Sequence, residues 1–176
     1  VQVGQRSKRG FTLIELMIVV VIVGILAVLA VTGYRKYAIS SRNSEAVQFL
    51  QAVRAAQFSY FAANGAFCGS STASVWPPRL PEVGEGKVPW NDPNGPIPAN
   101  NAWHDLGVES PGNVYFQYRM AAGRAGESGG PAIQDDGKPW FWVQANGDFD
   151  GNGVLSTFEV TSQSEAVWKN AERVNE

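Results

Sequence analysis

The sequence predicts an α+β fold in which a long N-terminal helix packs against a small antiparallel β-sheet. Three observations carry that expectation. An apolar run fills Phe11 to Val31, and a stripe at spacings of three and four continues beyond it. The C-terminal half then holds three short segments of β-branched and aromatic residues separated by glycine-rich turns.

The apolar run is 21 residues long and is interrupted only by Thr12 and Glu15. As a helix it would measure about 30 Å, the thickness of a bilayer core. Arg6, Lys8 and Arg9 precede it and favour the cytoplasmic side, which puts the chain from Thr32 onward outside the cytoplasm. A secretory signal peptide would have an apolar core of roughly 7–15 residues and a small-residue cleavage site. This run is longer, and no such site follows it. Glu15 is the unusual residue, because an ionised group in hydrocarbon is costly unless something pairs with it. Tyr34, Arg35, Lys36 and Tyr37 then suit a membrane–water interface.

Residues 38–63 contain neither glycine nor proline, so the helix is expected to continue to about Ala63 and stop at Asn64-Gly65. Phe49, Ala52, Val53, Ala56 and Tyr60 form the predicted buried stripe, broadened by Val47, Leu50 and Phe61. Residues 69–113 carry eight prolines and read as loop. Trp76, Trp90 and Trp103 within them are expected to pin that loop to the domain, in preference to forming a glycan- or chain-binding surface. The strands are Val114–Met120, with Val114, Phe116, Tyr118 and Met120 on one face, then Trp140–Val143 and Leu155–Val160. Gly123 to Lys138 reads as a connection, and Ser164–Glu176 as a tail with a short helix.

Between the second and third strands lies Asp148-Phe149-Asp150-Gly151-Asn152-Gly153-Val154-Leu155-Ser156-Thr157-Phe158-Glu159. Asp148, Asp150, Asn152, Ser156 and Glu159 place side-chain oxygens at loop positions 1, 3, 5, 9 and 12 of a twelve-residue calcium pattern. Gly153 supplies the turn and Val154 a backbone carbonyl. These hard donors predict a structural Ca2+ site that links two strands, with a plain Asp/Gly/Asn hairpin turn as the alternative.

The formal charge is −2, and losing the three cations Arg6, Lys8 and Arg9 leaves −5, which gives no basic patch for nucleic acid. Cys68 is the only cysteine, so no intrachain disulfide can form. His104 is the only histidine, and Glu109, Asp135 and Asp136 show no spacing that selects an acid–base pair. The expectation is therefore a non-enzyme.

Gly10-Phe11-Thr12-Leu13-Ile14-Glu15, behind a basic segment and ahead of an apolar helix, resembles the processing site of type IV prepilins and of the pseudopilins of type II secretion. The resemblance implies a pilin-like fold with a cleaved leader at 1–10, a transmembrane and filament-core half-helix at 11–33, an amphipathic half-helix at 34–64 and a loop-rich head at 65–176. It implies that a prepilin peptidase cuts between Gly10 and Phe11 and N-methylates Phe11. Glu15 would pair with the terminal amine of Phe11 on a neighbouring subunit. Further implied partners are copies of the chain itself, an inner-membrane assembly platform and other minor pilins. The location would be the bacterial inner membrane, then a periplasmic or surface filament (a fimbrium) serving adhesion, motility or DNA uptake. A pseudopilin of type II secretion is the alternative. Some members hold calcium near the C-terminal sheet, which agrees with the acidic loop. One departure is the proline often found after the apolar run: here the chain has Thr32-Gly33, with Gly24 inside the run.

Overall fold

A computed structural model describes residues 10–81, 86–91, 96–127, 129, 133–149 and 153–169. The chain divides into two compact units, Val1–Ser40 and Ser41–Glu176. Helix α1, Leu13–Asn64, supplies the first unit and opens the second.

In the first unit every side chain from Phe11 to Val31 is exposed, and Leu13–Val31 is long and apolar enough to cross a membrane. The helix starts with a capping box. Thr12 Oγ1 accepts the Glu15 backbone N–H at 3.3 Å, while Glu15 Oε2 accepts both the Thr12 N–H and its hydroxyl at 2.8 Å. The carboxylate that looked solitary in the sequence thus caps its own helix.

The second unit packs α1 from Ser41 onward against a five-stranded antiparallel sheet. Its strands are β1 Ser74–Trp76, β2 Gln117–Gly123, β3 Trp140–Gly147, β4 Ser156–Thr161 and β5 Trp168–Lys169, neighbours in that order. A short helix, α2 Ala102–Leu106, interrupts the β1–β2 connection. The expectation of about three strands was low by two. β1 hides inside the proline-rich stretch, where Ser74, Val75 and Trp76 pair with Met120, Arg119 and Tyr118. β5 forms where a tail helix was expected, pairing Trp168 with Glu159 and Lys169 with Phe158. Both are two or three residues long, too short for alternation to declare them.

The predicted face of the first strand is correct although the bounds shift. Val114, Phe116, Tyr118 and Met120 are all buried, but regular pairing begins only at Gln117. Val114 instead exchanges two backbone hydrogen bonds with Val88, at 2.7 and 2.8 Å. β3 continues past Val143 to Gly147, so that Phe141, Val143 and Ala145 face the core beside Phe158 and Val160 of β4. Gly123, read as connection, is the last residue of β2, paired with Trp140, and a Cβ there would come within 2.3 Å of the Trp140 ring.

Helix α1 ends at Asn64, with Gly65 at φ 72° donating its N–H to Phe61 O at 2.8 Å. The buried stripe is offset from the one expected. Asn43, Ala46, Leu50, Val53 and Gln57 are buried, whereas Ala52 is exposed and Phe49 and Tyr60 are half-buried. An apolar count missed the true stripe because two of its five positions are amides. Gln57 has a physical reason to be there. Its Nε2 donates to Cys68 O at 2.8 Å and its Oε1 accepts the Cys68 N–H at 2.9 Å, so one side chain satisfies both backbone groups of a buried residue. This two-way bond ties the start of the loop region to the helix in a head with no disulfide.

The tryptophans pin the loops, as expected. Trp76, Trp90 and Trp103 are buried, with Trp76 Nε1 donating to Trp90 O at 2.7 Å and Trp103 Nε1 to Ser74 O at 3.2 Å.

Replacing Gln57 by Leu should lower head stability by about 2–4 kcal/mol, because it leaves the Cys68 N–H and C=O buried and unpaired. Urea unfolding of the chain in detergent reads this directly. A loss under about 0.5 kcal/mol would remove the clamp from the account.

Candidate assembly site and acidic loop

The first candidate site is the entry to α1. Gly10 and Phe11 are exposed. Glu15 lies one turn into the helix, with its carboxylate turned back to Thr12. Past it, the uninterrupted apolar surface to Val31 offers hydrocarbon or another helix its only favourable contacts. The sequence reading singled out Gly10, Phe11 and Glu15 and passed over Thr12, although Thr-x-x-Glu ahead of an apolar run is the capping-box signature.

The second candidate is the β3–β4 connection. The ladder closes at Gly147–Ser156. Asp148 Oδ2 accepts the Gly153 N–H at 3.1 Å. Phe149 packs edge-on against Phe116 at 5.1 Å, and the Arg42 guanidinium of α1 stacks on both Phe149 and Tyr115, at 5.1 and 4.9 Å. Asp150 and Asn152 lie outside the described residues. Val154 is exposed, and Ser156 sits in the ladder.

Glu159 stands inside β4 opposite Gln144, whose side-chain amide donates to its carboxylate. Burial pushes this carboxyl above its ordinary range, with the Gln144 bond opposing the shift. Among the described residues no three His, Cys, Asp or Glu side chains gather as metal ligands would.

The remaining reactive groups are engaged or exposed. Asp135 and Asp136 cap turns, accepting the Gly137 and Lys138 N–H groups at 3.0 and 3.1 Å. His104 and Glu109 are exposed. Cys68 is buried, and desolvation, helped by the Asp105 charge, pushes its thiol up to about 11.

Sequence reasoning passed over a polar cluster that joins α1 to the loops. Glu45 Oε2 pairs with Lys87 Nζ at 2.6 Å, and Glu45 Oε1 accepts the Tyr115 N–H at 2.8 Å. Lys87 also lies over the Tyr115 ring, at 4.7 Å. Only its position on the helix face toward the loops distinguishes Glu45 from an ordinary surface acid, and that requires the fold.

Comparison with known proteins gives one finding. The family described as "Prokaryotic N-terminal methylation motif" matches residues 5–31. No curated protein and no solved structure matches the chain. The chain therefore carries a prepilin-type methylation motif, consistent with the type IV pilin and pseudopilin family and with a non-enzymatic structural subunit. The motif and the apolar helix are together consistent with insertion in the inner membrane.

The buried thiol makes two measurable statements. At pH 8 iodoacetamide should leave Cys68 of the native chain unmodified and label it once urea is added; rapid native labelling would contradict its burial. The folded thiol's pKa lies above its unfolded value of 9.0, so its contribution to stability is complete below pH 9 and is lost as pH rises toward 11. Cys68→Ala should flatten the fall in stability across that window, and an unchanged pH slope would count against the assignment.

Proposed function

We propose that the chain is a type IV pilin, a structural subunit of a filament built by packing apolar helices and serving adhesion, motility or DNA uptake. The observation that carries this reading is the methylation motif at the head of a wholly exposed apolar helix whose first turn holds Glu15. In the proposed sequence, a prepilin peptidase cuts between Gly10 and Phe11 and methylates the new amine. The assembly platform then lifts the subunit out of the bilayer, alongside any minor pilins. The amine of one copy and the Glu15 carboxylate of another meet among apolar side chains, where pairing removes the cost of leaving either charge alone. Because Thr12 holds Glu15 in the single chain, joining the filament exchanges an internal partner for an external one.

A pseudopilin of a type II secretion system is the second reading. The observation that favours it is the buried, unpaired Cys68, which leaves the head closed by hydrogen bonds instead of the C-terminal disulfide of many major pilins. The long β1–β2 connection, with its buried tryptophans, inclines us toward the pilin.

A structural Ca2+ in the acidic loop is part of the same proposal. Asp148, Asp150, Asn152, Ser156 and the Val154 carbonyl supply hard oxygen donors of the kind calcium takes, and the ion would neutralise their charge. Glu159 would join them only by giving up Gln144.

Glu15→Ala should yield processed, membrane-resident protein with filament recovery reduced at least about tenfold, the loss that one unpaired buried charge implies. Normal filament yield would sink the charge-pairing role. Adding calcium to chelated chain in detergent should raise the melting temperature of the head, and Asp148→Ala with Asp150→Ala should abolish the gain. Superimposable melting curves would leave a plain hairpin turn.

A further inference from the structure

Among the described residues from Ser41 onward only two aromatic side chains are exposed, Phe58 at 39% and Trp168 at 58%. Their settings differ. Phe58 belongs to a ring cluster: it meets Phe67 and Phe141 edge-on at 5.7 Å, and Phe61 lies 4.6 Å from Phe67. Phe58, Phe61 and Phe67 supply the aromatic lining of an open groove of about 680 Å³ beside the last turns of α1. Arg54 lies over the Phe58 ring at 4.9 Å, yet the ring keeps its exposure.

The polar part of the lining is held in place. Gln163 Oε1 accepts the Gln134 N–H at 3.0 Å, and Gln163 Nε2 donates to Gln134 O at 2.5 Å. Asp136 Oδ1 accepts the Lys138 N–H, which fixes the turn on the same rim. The groove is therefore preformed, and its volume falls in the roughly 300–1,000 Å³ range of clefts that hold an organic group. Trp168 stands elsewhere. It lies on β5, the two-residue edge strand, beside Glu159, and does not line the groove. A tryptophan that seats in a pocket is the commonest kind of anchor in a protein–protein contact.

The charges around the two features match. The groove rim carries Asp136 and Lys138, and the segment around Trp168 carries Glu165 and Lys169, all four exposed. None of them is in an ion pair among the described residues. Each cation on one side thus has an anion available on the other. A protrusion and a groove at separate places on one chain can be used by copy after copy, and such a heterologous contact generates a ring or an open helical filament. We propose that the Trp168 segment of one head seats in the Phe58–Phe61–Phe67 groove of a second copy, with Lys169 facing Asp136 and Glu165 facing Lys138. The proposal rests on the filament reading for its setting: packed stems raise the effective concentration of the heads, and this contact sets how neighbouring heads meet.

Zero-length carbodiimide cross-linking of the full chain in detergent tests it, using an equal mixture of unlabelled and 15N-labelled protein. The expected product is a mixed-isotope peptide joining Lys138 of one copy to Glu165 of another. Its yield should fall at least about tenfold in Trp168→Ala, the loss of an anchor residue. Trp168 is exposed, so the variant keeps its fold, which an unchanged melting temperature checks. Lys138→Glu alone should abolish the product, and Lys138→Glu combined with Glu165→Lys should restore it. Absence of mixed-isotope product in the wild type, or wild-type yield in Trp168→Ala, overturns the proposal. The cross-link is read on unassembled chain, so its failure is separate from a failure of processing at Gly10, which would remove the filament reading instead.

Discussion

A carboxylate one turn into an apolar helix must never be without a partner, and that constraint organises the N-terminal part of this molecule. Removing an ion from water costs several kcal/mol even after relaxation, so Glu15 is tolerable only when something donates to it. In the single chain the donors are the backbone N–H and hydroxyl of Thr12, supplied by the helix's own first turn. In the proposed filament a methylated amine takes their place. The carboxylate makes register specific because the apolar surface after it has little preference of its own: shifting one helix past another costs few contacts, whereas an unmatched charge costs many times more.

The head meets a related constraint by other means. Its core must hold a proline-rich loop region onto one helix and one sheet without a cross-link. Apolar burial alone is non-directional and would leave such loops free to slide. The directional elements are polar groups placed inside. Gln57 binds both backbone groups of Cys68, Glu45 ties Lys87 and the Tyr115 backbone to α1, and the indoles of Trp76 and Trp103 reach loop and strand carbonyls. Each has a specific partner, and together they fix loop positions that hydrophobic contact would leave degenerate.

The difference between these two mechanisms explains how much could be read in advance. The apolar helix, its stop at Asn64-Gly65, the buried face of β2 and the buried tryptophans all follow from periodicity and local turn chemistry, which a sequence displays. The methylation motif over residues 5–31 was legible because the relative spacing of its residues is itself the signal. The stripe of α1 was misplaced because the buried amides Asn43 and Gln57 read as solvent-facing, and Gln57 shows its reason only once its bonds to Cys68 are known. β1 and β5 escaped notice because pairing across the sheet creates them: three residues and two residues have no period of their own. The acidic loop shows the same limit in another form. Its spacing matches a calcium pattern, but the ladder decides where Glu159 stands, and it stands beside Gln144.

The central claim is that the basic segment is removed at Gly10 so that Phe11 can present an amine to Glu15 of another copy. N-terminal peptide mass spectrometry on sheared surface material and on inner membrane tests it most directly. The account predicts a chain that begins at N-methylated Phe11, abundant in the sheared fraction for a pilin and confined to the membrane fraction for a pseudopilin. A mature chain that still carries residues before Gly10 in both fractions would contradict it, since no amine would then exist for the carboxylate to meet.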